Sequence, residues 1–441
     1  MHYHFIAIGG AIMHNLALEL QANGHIVTGS DDEIFDPAKS RLAAAGLLPK
    51  QYGWDPKNIP ENTDAIILGM HAKADNPELV YAEEKGIKIY SFPDFVYEHS
   101  KDKTRVVIGG SHGKTTSTAM LMHVLMQAGM DFDYLVGSQI DGFERMVKLS
   151  PNAKVMIIEG DEYLTSALDR VPKFHKYHPH FSMITGIAWD HINVFPTWEG
   201  YVGEFETFVK HTVKGGHCYL FEGDEELRKM KPRYNFCSYY NTPNYIENED
   251  STVVEIGGVE YSLSFFGEHN LQNAAGVQKL AADLGIREND FWKHMQSFAG
   301  SARRMEKVLD TEDLVIFRDF AHSPSKCKAT VQAVKNKYKD REIVAVFELH
   351  TYSSLRKDFI PEYAGCFELP TEAYILFDPH VLELKGMPML DNEFIEKEVP
   401  NTKAFGNSSE LKKEVLNRLK NAGPKVLLLM SSGKLGGETF Y

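Results

Sequence analysis

Residues 109–120 read Gly-Gly-Ser-His-Gly-Lys-Thr-Thr-Ser-Thr-Ala-Met, and they constrain the fold more than any other stretch. The apolar run Val106-Val107-Ile108 leads in, and Leu121, Val124, Leu125 and Ala128 carry a helical pattern out to Gly129. A strand, a glycine turn and a helix in that order make a cradle for nucleotide phosphates. Glycines let backbone N–H groups converge on phosphate oxygens, and the helix start adds partial positive charge. The spacing is a shortened P-loop. The longer form wants glycine where Ile108 stands, which leaves Gly110-Ser111-His112-Gly113-Lys114-Thr115, followed by Thr116. Lys114 is expected on the β- and γ-phosphates and the Thr115 hydroxyl on Mg²⁺. An ordinary strand–turn–helix corner has no need of a lysine followed by tandem threonines.

Strand-like runs alternate with helical ones along much of the chain, which predicts α/β layers with parallel sheets. A length of 441 residues suggests about three domains. Hydrophobic residues at 43% and charged residues at 24% fit a soluble globular protein. No apolar run approaches the roughly 20 residues of a membrane span. A formal charge of −14 argues against broad nucleic-acid binding while leaving room for local basic pockets. Cys218, Cys237, Cys327 and Cys366 lie far apart in sequence without metal-ligand spacing. The chain also enters a strand at once, without a basic segment or cleavage signal. Together these features predict a reduced, cytoplasmic protein.

The first segment is expected to open with a strand at 5–8, the turn Gly9-Gly10 and a helix to Ala22 closed by Gly24. Strands follow at 26–30, 65–68 and 87–90, and the polar stretch 98–105 reads as a linker. A G-x-G-x-x-G reading from Gly9 fails at Ala11 and His14, so it is poor evidence for NAD. Asp31, about twenty residues after the turn, is still placed to bond a ribose hydroxyl. The other reading of Asp31-Asp32 is a solvated acid pair at a plain sheet edge. A mononucleotide-type ligand fits better than NAD.

The second segment, from Thr104 to Gly300, carries a strand at 155–158 that ends in Glu159-Gly160-Asp161-Glu162-Tyr163. An acid at the carboxyl end of a strand beside a P-loop commonly completes the Mg²⁺ site. A strand at 181–187 leads to Trp189-Asp190-His191, where a neutral imidazole could serve a second divalent ion or the transferred phosphoryl group. His175, His178 and His180 lie close in sequence but lack a partner constellation, so a loop is expected there rather than a zinc site.

The third segment begins near Ser301-Ala302-Arg303-Arg304 and has strands at 314–317, 343–347, 373–377 and 426–430. Loops at their carboxyl ends carry Asp319, His322, His350 and the run Ser431-Ser432-Gly433-Lys434, the edge where open α/β sheets bind ligands. Arg303 and Arg304 read either as a solvated charge pair or as a junction clamp on γ-phosphate when domains close.

These motifs together resemble the muramyl (Mur) ligases of peptidoglycan synthesis over essentially the whole chain. The matching residues are Gly113-Lys114-Thr115-Thr116, Glu159 with Asp161-Glu162, and Asp190-His191. They continue through Gly267-Glu268-His269-Asn270 to Asn273, Arg303-Arg304, and Asp319-Phe320-Ala321-His322-Ser323-Pro324. The resemblance implies three domains. They are a Rossmann-like UDP-binding domain (1–100), a central P-loop ATPase domain (101–300) and a C-terminal Rossmann-like α/β domain that takes the incoming amine (301–441).

The implied activity is phosphorylation of a UDP-N-acetylmuramyl carboxylate by ATP, then attack of an amine on the acyl phosphate. The phosphate is the leaving group that a bare carboxylate lacks. By resemblance, Lys114 and Arg304 neutralise the γ-phosphoryl group, and Thr115, Glu159 and His191 serve Mg²⁺. Asn273 reads adenine, while Asp319 contacts the nucleotide. Gly9, Gly10, Ser30, Asp31 and Asn76 take the UDP moiety, and His322, His350 and Thr351 face the amine.

Two branches of the family use UDP-N-acetylmuramate itself. One adds L-alanine; the other, a recycling enzyme, adds L-alanyl-γ-D-glutamyl-meso-diaminopimelate. Gly142-Phe143, Glu162-Tyr163, Lys173-Phe174, Tyr177, Pro179 and Phe195 after Asp190-His191 resemble the tripeptide branch. Residues 347–356, Phe-Glu-Leu-His-Thr-Tyr-Ser-Ser-Leu-Arg, match neither branch fully. Thr351 stands where the L-alanine enzymes have arginine, a partner that a small amino acid needs for its carboxylate. Tripeptide ligation is the first expectation and L-alanine ligation the second. A non-catalytic nucleotide-binding protein would be expected to lose Lys114, Glu159 or His191, and all three are present.

Overall fold

Val106, Val107 and Ile108 are fully buried in the strand Thr104–Gly109, at the heart of a seven-stranded sheet. The structure is a computed structural model that describes the chain apart from residues 71, 141, 167, 191–193, 249–250 and 301–304. The expectations for His191, Arg303 and Arg304 therefore lie outside the described residues. The elements fall into two compact units. One comprises Met1–Ile187, Thr197–Asn241 and Gly276–Phe291; the other comprises Ala188–Pro196, Thr242–Ala275 and Trp292–Tyr441.

In the first unit the seven strands run in the order Cys237–Tyr240, His217–Phe221, Phe181–Ile184, Thr104–Gly109, Val155–Glu159, Asp133–Leu135, Val147–Lys148. All pairings are parallel except the last. Central strands such as Val-Met-Ile-Ile at 155–158 are apolar throughout because helices cover both faces of a parallel sheet. A second, four-stranded parallel sheet has the order Ile26–Ser30, His2–Ile6, Ala65–Leu68, Lys88–Ser91.

Three local expectations change. The first strand spans His2–Ile6 rather than 5–8, because Ala7 turns to φ 68° and both Ala7 and Ile8 donate their N–H groups to the Ser30 carbonyl. The strand at 181 stops at Ile184, where Thr185 and Gly186 leave the ladder to brace the P-loop. The stretch 98–105 is not a linker. Helix Phe92–Ser100, capped by Ser91, runs almost into the strand that begins at Thr104. Arg105 is buried there because its guanidinium donates to the carbonyls of Ser100, Lys101, Lys103, Tyr177 and His178. A buried charge is tolerated when its donors are satisfied in this way.

The two sheets of this unit are tied through helix Ala11–Ala22. Glu19 accepts from Leu149 N at 2.9 Å and pairs with Arg145 at 2.7 Å, and Asn15 accepts from Met146 N at 3.1 Å.

The second unit is built on a six-stranded sheet ordered Glu306–Asp310, Leu314–Asp319, Lys425–Met430, Glu342–Leu349, Glu372–Phe377, Thr402–Phe405. Only its first edge strand is antiparallel. Apolar clusters cover the sheet, one around Phe317, Phe347 and Ile375, the other around Val344, Tyr374 and Leu427. A small antiparallel sheet, Tyr245–Glu247, Thr252–Ile256 and Val259–Leu263, turns at Gly257-Gly258, both at positive φ. That is the conformation a two-residue hairpin turn requires.

Candidate active site

Register places the phosphate cradle. Ile108 pairs with Glu159 on one side of the central strand and Gly109 with Ile184 on the other, so both neighbours end beside the loop. Gly110 sits at φ 135°, and a Cβ there would overlap the Thr185 hydroxyl, so only glycine fits. Thr185 donates its N–H to the Gly109 carbonyl and its hydroxyl to the His112 carbonyl. Ser111 donates its N–H to the Gly186 carbonyl, and its hydroxyl lies 2.8 Å from Tyr201 Oη. Gly113, at φ 77°, caps helix Lys114–Gln127, whose first turn holds buried Thr115 and Thr116.

Two carboxylates meet this helix start. Thr115 Oγ1 donates to Glu159 Oε1 at 2.7 Å, and Gly137 N donates to Glu159 Oε2 at 2.7 Å. These are hard oxygen donors side by side beneath the cradle, the set that suits Mg²⁺ bridging to phosphate oxygens. Lys114 Nζ donates to Glu162 Oε2 and to the Gly110 carbonyl, each at 2.6 Å. Burial works against the Lys114 charge, but Glu162 and Asp161 outweigh it, so the pKa is raised and the ammonium is held. Asp161 is paired at 2.5 Å with Lys173. Burial alone would raise the Asp161 pKa, and the cations Lys173 and Lys114 more than offset it, so the pKa is lowered. Backbone bonds from Lys173 N to Tyr163 O and from Phe174 N to Asp161 O close residues 161–174 into an anchored loop.

At the carboxyl edge of the four-stranded sheet, Gly9 N donates to Asp31 Oδ2 at 2.6 Å, and Gly10 caps the following helix. Asp31 is buried rather than a solvated acid; desolvation outweighs the Gly9 bond and pushes its pKa up to about 6. Ser30 and Asn76 are engaged structurally. The Ser30 hydroxyl donates to buried Glu78, and Asn76 Oδ1 accepts from Glu78 N and Leu79 N as a helix cap. Gly9, Gly10 and Asp31 thus form one cluster, with Ser30 facing Glu78 and Asn76 capping Glu78's helix.

In the second unit, Asp319 ends its strand and organises the turn after it. Its Oδ1 accepts from Ala321 N at 2.8 Å and from Thr330 Oγ1 at 3.1 Å; its Oδ2 accepts from Met305 N at 2.8 Å. His322 Nε2 lies 3.3 Å from Lys326 Nζ, and Asp190 Oδ2 lies 3.9 Å from His322 and 3.6 Å from Lys326. Tyr363 Oη donates to the His322 carbonyl at 2.5 Å, coupling that turn to residues 351–363. Thr351 Oγ1 accepts from Ser354 N and bonds Ser354 Oγ in a local turn, and the His350 carbonyl accepts from Lys385. Buried Glu348 accepts from Ser431 Oγ, Leu435 N and Gly436 N, so it shapes the loop 431–436. That loop lines a cavity of about 290 Å³ with Arg318 and Asp319. Asn273 is buried on helix Glu268–Asp283.

Of the three histidines near 175, His178 and His180 lie outside helices and strands as expected, half-buried, and His175 does not. His175 lies in the short 3₁₀ helix Lys173–Lys176, buried, with its pKa lowered to about 4 by desolvation. No group of three or more metal-ligating acid, histidine or cysteine side chains occurs among the described residues. Sequence reasoning assigned no part to Thr185, Lys326 or the Lys114–Glu162 pair. Thr185 carried no signal. Glu162 did, as the acid next to a motif already marked.

Models of three family regions match the chain. They are the catalytic domain of the Mur ligase family at residues 2–104, the Mur ligase middle domain at 108–281 and the Mur ligase glutamate ligase domain at 303–433. A curated UDP-N-acetylmuramate–L-alanine ligase from Lactobacillus delbrueckii subsp. bulgaricus is 32% identical over 386 residues, covering 84% of this chain and 83% of the relative. Among solved structures, a murein peptide ligase from Psychrobacter arcticus matches with TM-score 0.68 and 22% identity, over 99% of this chain and 97% of that one. The UDP-N-acetylmuramate–alanine ligase of Thermotoga maritima matches with TM-score 0.71 and 21% identity, over 99% and 96%. No described helix is long and apolar enough to cross a membrane. The chain belongs to the Mur ligase family, ATP-dependent ligases that form amide bonds.

Proposed function

We propose that this chain joins UDP-N-acetylmuramate to L-alanyl-γ-D-glutamyl-meso-diaminopimelate in the cytoplasm, recycling peptidoglycan peptide. The observation that carries the reading is the anchored loop 161–174. Asp161, paired with Lys173, and Tyr163 flank Glu162, the carboxylate that holds Lys114. That loop contains Glu162-Tyr163 and Lys173-Phe174, two of the stretches that resemble the tripeptide branch. Thr351 adds support, since its hydroxyl is engaged with Ser354 and supplies no cation for the carboxylate of a free amino acid.

In the proposed reaction ATP phosphorylates the muramyl carboxylate, and the peptide amine displaces phosphate. Residues 101–300 bind ATP. The P-loop N–H groups of residues 110–116, apart from that of Ser111, which is bonded to Gly186, hold phosphate oxygens, and Lys114 exchanges Glu162 for the γ-phosphoryl group. Thr115 and Glu159, with His191, would hold Mg²⁺, which neutralises phosphate charge when bound. Arg304 would share that charge, Asn273 would read adenine and Asp319 would contact the nucleotide. Residues 1–100 take the UDP moiety at Gly9, Gly10 and Asp31, with Ser30 and Asn76 shaping the edge. Residues 301–441 take the amine near His322, His350 and Thr351.

The second reading, L-alanine ligation, is favoured by the name of the 32% identical relative. Phosphate release from ATP with UDP-N-acetylmuramate and Mg²⁺ separates the two when L-alanine and the tripeptide are compared and the product is weighed. Faster turnover with the tripeptide and a product of matching mass supports recycling. A preference for L-alanine sinks it.

A further inference from the structure

A cavity of about 460 Å³ opens in the second unit between Ala188, Trp189 and Pro196 on one side and the loop that follows His350 on the other. Its volume is in the range of small-ligand sites. Ala188, Trp189, Pro196 and Phe359 give it apolar walls, and Arg356, Asp358 and Glu362 give it charge. Pro324 and Ser325 complete the lining, placing the cavity two residues along the chain from His322.

The charged groups are arranged unevenly. Arg356 Nε donates to Asp358 Oδ1 at 2.9 Å and its Nη2 donates to Asp358 Oδ2, which fixes one edge of the guanidinium and leaves Nη1 for another acceptor. Glu362 makes no ion pair among the described residues. A fixed cation and an open carboxylate in one apolar-walled cavity match a ligand with a carboxylate, an ammonium and a methylene stem.

We infer that this cavity takes the far end of the incoming peptide, an amino-acid head bearing both a carboxylate and an ammonium on an aliphatic stem. This inference rests on the tripeptide reading, since the diaminopimelyl residue carries such a head away from the reacting amine, whereas the only amine of L-alanine is the one that reacts. Arg356 reads the carboxylate and Glu362 the ammonium, while Trp189 and Phe359 flank the stem. The arginine absent at position 351 thus has a counterpart five residues later in the same loop. The loop is braced on His322 through Tyr363.

The test compares steady-state KM and kcat for two tripeptides, one ending in meso-diaminopimelate and one in L-lysine, which keeps the ammonium but lacks the far carboxylate. The wild-type enzyme should show a KM about tenfold lower for the diaminopimelyl peptide, as a charged hydrogen bond supplies. Arg356→Gln should erase that difference by raising only the diaminopimelyl KM, with kcat nearly unchanged. Glu362→Gln, on an exposed side chain, should raise KM for both peptides and serves if Arg356→Gln fails to fold. Equal KM values for the two peptides in the wild type would overturn the inference while leaving tripeptide ligation intact. So would an Arg356→Gln effect shared by both peptides, or no effect of Glu362→Gln. Turnover of L-alanine with neither peptide accepted would instead overturn the tripeptide reading, and the cavity's occupant with it.

Discussion

Lys114 and Glu162 neutralise each other at 2.6 Å inside the cradle, so neither can be removed without leaving the other as a buried charge. Breaking such a pair from one side costs about 3–5 kcal/mol, more than the pair contributes intact. Lys114→Ala should therefore lower thermal stability as well as reduce turnover by roughly a hundredfold or more. Adding Glu162→Gln should restore the melting temperature but not phosphate release. A single variant with unchanged melting would contradict the pairing.

Asp31 makes a second prediction, through pH. Its folded pKa of about 6 stands above the ordinary 3.8. The stability it contributes is therefore present below about pH 4 and lost as pH rises through 6. Asp31→Asn does not titrate, so urea unfolding should show the variant gaining on the wild type between pH 4 and 7. A constant difference across that window would refute the assignment. If Asp31 also holds a ribose hydroxyl, the same variant should weaken binding of UDP-N-acetylmuramate measured by calorimetry.

Among elements, the loop 431–436 depends on one carboxylate. Glu348→Ala deletes the acceptor of two backbone N–H groups and one hydroxyl. The expected cost is about 1–3 kcal/mol, with faster amide hydrogen exchange confined to residues 431–437. Uniform exchange across the unit would mean the loop is held by something else. How far the elements were legible follows from what wrote them. The buried parallel strands near 315, 343, 373 and 426 were readable because burial on both faces makes continuous apolar runs. The edge strand Glu306–Asp310 was not, being exposed and charged. The hairpin at Gly257-Gly258 carried a readable signal that was passed over. Arg105 misled because carbonyls of the preceding turn and of distant Tyr177 and His178 offset its charge, and no local pattern announces the distant partners. The site divides the same way. The loop residues 110–116 and Glu159 are contiguous motifs, whereas the contact of Thr185 with the loop arises only from sheet order.

At the scale of the molecule, Glu19 is the joint between the first unit's two sheets, binding Leu149 and Arg145 across more than a hundred residues of chain. Glu19→Ala should cost about 1–3 kcal/mol in urea unfolding, with faster amide hydrogen exchange in helix Ala11–Ala22 and at residues 145–149. Exchange equal to the wild type would place the joint elsewhere. Arg105 has a further consequence, for biosynthesis. Two of its carbonyl partners, on Tyr177 and His178, lie 72 and 73 residues downstream. While the ribosome is still making that stretch, the guanidinium must stay in water and the strand that begins at Thr104 cannot settle. The order of translation thus lets the four-stranded sheet form first and holds back the phosphate cradle until residue 178 has emerged.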